Sequence, residues 1–212
     1  TQGQVLTASN TIADQDGMTS ATVAYQWKRD GNTIAGATNS TYTLTQDDVD
    51  SAITVTASYT DDQGTDESVT SAATSTVANV NDDPTGAVTI SGTPTEDEVL
   101  TADTSTLADD DGLGAFSYQW KRDDVDIDGE TDSTYTLTQT DVGSAITVNV
   151  SYTDGFNNDE SVTSAATSLV ANVNDDPTGT VSISGTPTQG QVLTASNTIA
   201  DQDGMTSATV AY

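Results

Sequence analysis

The sequence predicts an all-β chain, a row of tandem β-sandwich modules arranged as an extended rod. Three observations lead there. Short segments alternate apolar and polar residues with period two, no segment carries the period of a helix, and most of the chain is repeated. Tyr25-Gln26-Trp27-Lys28-Arg29-Asp30 returns as Tyr118-Gln119-Trp120-Lys121-Arg122-Asp123, a spacing of 93 residues. Tyr42 and Tyr135, Tyr59 and Tyr152, and Pro84 and Pro177 keep that spacing. Residues 1–25 recur unchanged as 188–212, an offset of 187. Adjacent modules therefore differ while alternate modules agree, and the chain reads as a stretch of a longer array. The offsets divide it into residues 1–84, a module lacking its first strand; 85–177, a complete module; and 178–212, the opening strands of a third.

The complete module is taken strand by strand. Ala87-Val88-Thr89-Ile90-Ser91 alternates and is broken by Gly92-Thr93-Pro94, and Glu98 to Ala102 forms a second strand. Phe116, Tyr118 and Trp120 alternate with Ser117, Gln119 and Lys121, which turns the aromatics inward on the third. Thr134 to Thr138 buries Tyr135 and Leu137, and Ala145 to Tyr152 buries Ile146, Val148, Val150 and Tyr152. Ser161 to Val173 supplies the last strand. Parity turns Lys28 and Lys121 outward, with Asp30, Asp123 or a neighbouring acidic strand as partners for the basic pairs.

Composition narrows the chemistry. The chain has no cysteine and no histidine, so it offers no disulfide, no zinc or haem site, no His base and no Cys nucleophile. Its 33 acids against 4 basic residues give a net charge of −29, which leaves no basic patch for nucleic acid and repels anionic headgroups. No apolar run is long enough for membrane insertion in this segment. Of the acids, 28 are Asp and 5 are Glu, and Asp belongs in turns and compact oxygen cages. A solvated, salt-adapted surface is the alternative explanation of the same count.

Three acidic features recur. The first is Asn79-Val80-Asn81-Asp82-Asp83-Pro84, repeated as Asn172-Val173-Asn174-Asp175-Asp176-Pro177, between modules. Its dense oxygen-bearing side chains, closed by proline, make a poor strand and a good ligand set for Ca²⁺. The second is Asp14-Gln15-Asp16-Gly17, echoed at Asp109-Asp110-Asp111-Gly112 and Asp201-Gln202-Asp203-Gly204. The third starts at Asp61 and at Asp154, ahead of the final strand. Taken singly, Asp-Gly and Asn-Asp-Pro are also ordinary turn formers.

The Tyr-x-Trp-Lys-Arg-Asp strand, the following Tyr-Thr-Leu-Thr and the Asp-Val-x-Ser-x-Ile stretch resemble an immunoglobulin-type sandwich, with Trp27 and Trp120 in the place of its core tryptophan. The closer resemblance is to the tandem Ig-like repeats of very large bacterial surface adhesins, with their Asp-x-Asp-Gly loop, Tyr-Gln-Trp strand and Tyr-Thr-Asp turn. That resemblance implies an extracellular, cell-surface location and a spacer role. In an Ig-type sandwich the two acidic loops share the end where the chain enters, so the preceding linker would meet both. The similarity to cadherin linkers implies Ca²⁺ ligation by Asn79, Asn81, Asp82 and Asp83 with Asp109, Asp111 and Asp154, and Asp47, Asp48 or Asp50 as a contributor from the far end of the preceding module. At the second linker it implies Asn172, Asn174, Asp175 and Asp176 with Asp201 and Asp203, joined by Glu96, Glu98 and Asp141. Asp14, Asp16 and Asp61 are the corresponding set of the first module.

The expected function is thus non-catalytic: a calcium-stiffened extender that projects a distal binding domain, with neighbouring repeats of the same chain as its partners. Two alternatives stay open. Residues 178–187 correspond to the strand that Thr1 onward lacks, which suits head-to-tail self-association into a filament. A carbohydrate- or surface-binding module would need an exposed aromatic platform, and the aromatics here read as core.

Overall fold

The computed structural model describes residues 1–19 and 21–205; residues 206–212, part of the expected opening of a third module, lie outside the described residues. Among them the chain is all-β, and the helical pieces are single 3-10 turns at Gln46–Asp48 and Gln139–Asp141. Two compact units form: residues 1–83 with 110–112, and residues 84–109 with those from 113 onward.

In the first unit, β1 (Val5–Thr7) pairs antiparallel with β4 (Thr41–Thr43). A second sheet has the order β3 (Asn32–Thr33), β2 (Ala24–Arg29), β5 (Ile53–Thr60), β6 (Asp66–Thr70). One buried cluster consists of Trp27, Leu44, Ile53 and Val77, with Leu6, Tyr42 and Val55 partly buried against it. The Trp27 ring lies 5.8 Å from Tyr42, and its indole N–H donates to the carbonyl of Asn39 at 2.9 Å.

In the second unit, β7 (Thr89–Ser91), β8 (Val99–Asp103) and β11 (Thr134–Thr136) form a three-stranded sheet with β8 in the middle. The facing sheet runs β10 (Val125–Asp126), β9 (Ser117–Arg122), β12 (Ile146–Thr153), β13 (Asp159–Thr163). Leu100 and Tyr135 of one sheet meet Trp120, Ile146, Val148 and Val150 of the other in one buried cluster, as in a β-sandwich. The expected inward set of β12 is buried at Ile146, Val148, Val150 and Tyr152. On the third strand only Trp120 is fully buried; Phe116 and Tyr118 are half-buried, and Phe116 meets Tyr152 edge-on at 5.7 Å. A separate hairpin joins β14 (Val181–Ser184) to β15 (Thr194–Asn197).

The last strand is shorter than the expected 161–173. After β13 the ladder is taken over by hydroxyls: the Val148 N–H donates to Ser164 Oγ at 3.0 Å and the Ile146 N–H to Thr167 Oγ1 at 3.1 Å. A run of Ser, Ala and Thr offers the neighbouring strand side-chain acceptors in competition with regular pairing. The segment regains contact at Val170, which bridges Val142 in parallel. The first unit repeats the device, with Val55 N–H on Ser71 Oγ and Ile53 N–H on Thr74 Oγ1.

Lys121 finds its partner on the neighbouring acidic strand, as expected, while the arginines do not pair with Asp30 and Asp123. Asp30 and Asp123 adopt positive φ in the turn after the tryptophan strand, where their carboxylates accept the Ala52 and Ala145 N–H groups. The arginines turn inward instead: Arg29 Nε reaches Asp48 at 2.8 Å, and Arg122 Nη2 reaches Asp141 at 2.7 Å. Lys121 pairs with Asp126 at 3.0 Å.

Candidate metal centre

Among the described residues, two carboxylate groupings have oxygens within 4.8 Å of one another, one in each unit: Asp14, Asp16 and Asp61; and Glu96, Asp175 and Asp203. Each is assembled from segments distant in sequence, which the folds of the respective units bring together.

In the first grouping, Asp14 is held by its own turn and by a strand. The Asp16 N–H donates to Asp14 Oδ1 and the Tyr59 hydroxyl to Asp14 Oδ2, each at 2.8 Å. The Asp16 N–H and then Tyr59 hold the Asp14 carboxyl below its ordinary range. In return the bond to Asp14 pushes the Tyr59 phenol up to about 12. Asp61 is buried, and its Oδ1 accepts the Gln63 N–H at 3.0 Å and the Thr65 N–H at 2.7 Å. Asp62, next in the chain, accepts the Thr19 N–H and closes the loop around Gly17.

The matching residues of the second unit show the same supports. Tyr152 donates to Asp109 Oδ2 at 2.6 Å. Burial, then that bond, raises the Tyr152 phenol. Asp154 Oδ1 accepts the Phe156 and Asn158 N–H groups, each at 2.8 Å, and Oδ2 accepts the Asn158 side chain at 2.9 Å. Burial pushes the Asp154 carboxyl up, and these donors bring it below its ordinary range.

The Asn79–Asp83 segment is tied down within the first unit. Gln2 Nε2 donates to Asp82 Oδ2 at 2.8 Å, and the Val80 N–H donates to Gln2 Oε1 at 3.3 Å. Asp111, buried and grouped with this unit, accepts the Asp82 N–H on Oδ2 and Gln46 Nε2 on Oδ1, both at 2.8 Å. Asn79 Oδ1 and Gln46 Oε1 are buried without a hydrogen-bond donor. Asn81 and Asp83 are exposed.

The Asn172–Asp176 segment, expected as a second linker, is built on the same frame with a different side chain at its centre. Glu96, 4% exposed, accepts the Val173 N–H on Oε2 at 3.1 Å. With its nitrogen turned towards Glu96, the Gln139 amide donates to both carboxylate oxygens, at 2.7 and 3.0 Å. Asp203 Oδ2 accepts the Asp175 N–H at 2.8 Å, and Asp201 Oδ1 accepts the Asp203 N–H at 3.0 Å. Oδ2 of Asp175 is shut off from solvent and has no donor. Burial and then the Asp203 charge push the Asp175 carboxyl above its ordinary range. Three carboxylates this close, one with an orphaned oxygen, make an oxygen cage that suits a hard divalent cation. Asn172, Asn174 and Asp176 lie on the exposed side of the segment.

Three residues expected as ligands sit elsewhere. Asp48 and Asp141 are fully buried, where each accepts an arginine, a tyrosine hydroxyl and a threonine N–H. Burial acts to raise these two carboxyls, and the threonine N–H, arginine and tyrosine overcome it, so both lie below the ordinary range. A carboxylate neutralised by a guanidinium has no need of a metal, and these two are structural. Glu98 is exposed just before β8, where its carbonyl accepts the Leu137 N–H.

Sequence reasoning passed over Gln2, Gln46 and Gln139, and saw in Tyr59 and Tyr152 a repeated pair but not its hold on the carboxylates. Their signal was available in part: Gln46 and Gln139, like Tyr59 and Tyr152, recur at the module spacing of 93. Neither a scan of family models nor a search of curated proteins finds a match to this sequence.

Proposed function

We propose that this chain is a non-catalytic extender segment of a bacterial cell-surface adhesin, a rod of Ig-like sandwich modules whose linkers are stiffened by Ca²⁺ and which carries a distal binding domain away from the cell. The observation that carries the reading is the grouping of Glu96, Asp175 and Asp203, where Asp175 Oδ2 is buried without a donor. A donor set of carboxylate oxygens with no imidazole or thiolate suits Ca²⁺ or Mg²⁺, and carboxylates supplied by three separate segments suit Ca²⁺, which tolerates flexible geometry. A bound ion would cancel repulsion among these carboxylates and cross-link the Asp175 segment to Glu96 and to the Asp203 loop. A linker held at three points resists bending, which is what a spacer needs. The density of acid elsewhere, with a net charge of −29, would then serve solubility and extension.

Extracellular modules bind Ca²⁺ with Kd of roughly 10⁻⁴–10⁻³ M, within the calcium range outside cells. The test is thermal unfolding of the chain in EDTA, in millimolar Mg²⁺ and in millimolar Ca²⁺. One site filled at ten times its Kd adds about 1.4 kcal/mol, so the Ca²⁺ curve should move up by several degrees and the Mg²⁺ curve by much less. Three coincident curves would leave the aspartates as turns and solvated surface, and the extender reading would lose its calcium.

A further inference from the structure

The two linkers present the same scaffold with one decisive exchange. Gln2 and Glu96 occupy matching places: their N–H groups donate to the carbonyls of Ala78 and Ala171 at 3.0 and 2.9 Å, and their side-chain oxygens accept the N–H groups of Val80 and Val173. Asp82 and Asp175 likewise match, each sending its N–H to an aspartate Oδ2, of Asp111 and of Asp203, at 2.8 Å. The difference is what faces the linker aspartate. In the first unit the Gln2 amide donates to Asp82 Oδ2. In the second, position 96 is a carboxylate with no proton to give, and the orphaned buried oxygen is found on Asp175.

We propose that the residue at this place selects between two kinds of linker: Gln2 closes the Asn79–Asp83 segment as an amide latch that needs no metal, whereas Glu96 makes the Asn172–Asp176 segment depend on a divalent cation that takes the latch's place. This rests on the calcium reading above and narrows it to one linker in two. Buried Asn79 Oδ1 and Gln46 Oε1 do not reverse the assignment, because a neutral acceptor is satisfied by any donor, including a water molecule. A third carboxylate against a buried, donorless carboxylate oxygen calls for positive charge. Since residues 188–212 repeat residues 1–25, Gln189 restores the latch residue, and the array would alternate latched and cation-held linkers.

Amide hydrogen exchange of the whole chain, read at Val80, Asp82, Val173 and Asp175 in EDTA and in millimolar Ca²⁺, tests this directly. Val173 and Asp175 should slow by about tenfold or more on adding Ca²⁺, a change of ~1.4 kcal/mol in local opening, while Val80 and Asp82 exchange alike in both. Glu96→Gln should abolish the response at Val173 and Asp175 and leave them protected in EDTA. Gln2→Glu should give Val80 and Asp82 a calcium response that the native chain lacks. If both linkers of the native chain respond, the latch is refuted while the calcium reading stands. If neither responds, both fail. If the responses do not follow the Gln/Glu exchange in the two variants, position 2/96 is not the selector.

Discussion

The tryptophan strand is nearly the same in both units, six residues with the same alternation of burial, yet the cores around it differ in quality. Trp120, Leu100, Ile146 and Val148 are completely buried, whereas their counterparts include a Trp27 at 4% exposure and a Leu6 and Val55 only partly covered. The cause is one strand. In the second unit β7 lies on β8, bringing Val88 and Ile90 onto the core; among the described residues of the first unit β1 has only β4 as a neighbour. The first unit also has a groove of about 410 Å³ lined by Ile12, Tyr25, Val55, Ala57 and Val69. A strong sequence motif thus positions a tryptophan, while the depth of its burial is decided by a strand from elsewhere in the chain.

The largest effect that separates the units should come from the tryptophans. Trp120→Ala should cost about 3–5 kcal/mol, and Trp27→Ala visibly less, because the first core already leaks solvent. Denaturant unfolding read by exchange of the β5 and β12 amides would assign each loss to its unit, and equal losses would mean that the strand beside β8 does not matter. Next comes the buried ion pair. Asp141→Ala strands Arg122 and the Tyr135 hydroxyl and should cost about 3 kcal/mol or more, with Asp48→Ala milder because Arg29 also has Asp47 at 3.8 Å. The same pair sets an acid limit. Both carboxyls titrate below their ordinary range in the folded chain, so their contribution is present above pH ~4 and is lost as pH falls through the folded pKa. A pH series on Asp141→Asn should show a flatter acid limb than the native chain. The smallest change is the most pointed: Val88→Ala, at a residue 2% exposed, should cost about 1–2 kcal/mol and bring the second core towards the first.

Much of this architecture was legible in the chain itself. Period-two alternation marks β12 and its buried face, the repeat of the Tyr-Gln-Trp stretch marks a shared strand, and the absence of His and Cys removes whole classes of chemistry. The inward arginines were legible too, since Arg29 and Arg122 stand two residues beyond a buried tryptophan and so share its face. Local sequence also makes Asp-x-Asp-Gly and Asn-Asp-Pro into turns. What it leaves undecided is which acid meets which. Asp48 and Asp175 look alike as aspartates in acidic loops, but one is met by a guanidinium and the other by Glu96 and Asp203. Such encounters join residues far apart in the chain, and charge energies depend on distance and burial, neither of which composition or spacing encodes. Whether an aspartate is a structural anchor or a candidate metal ligand was therefore settled only when the strands brought its neighbours within a few ångströms.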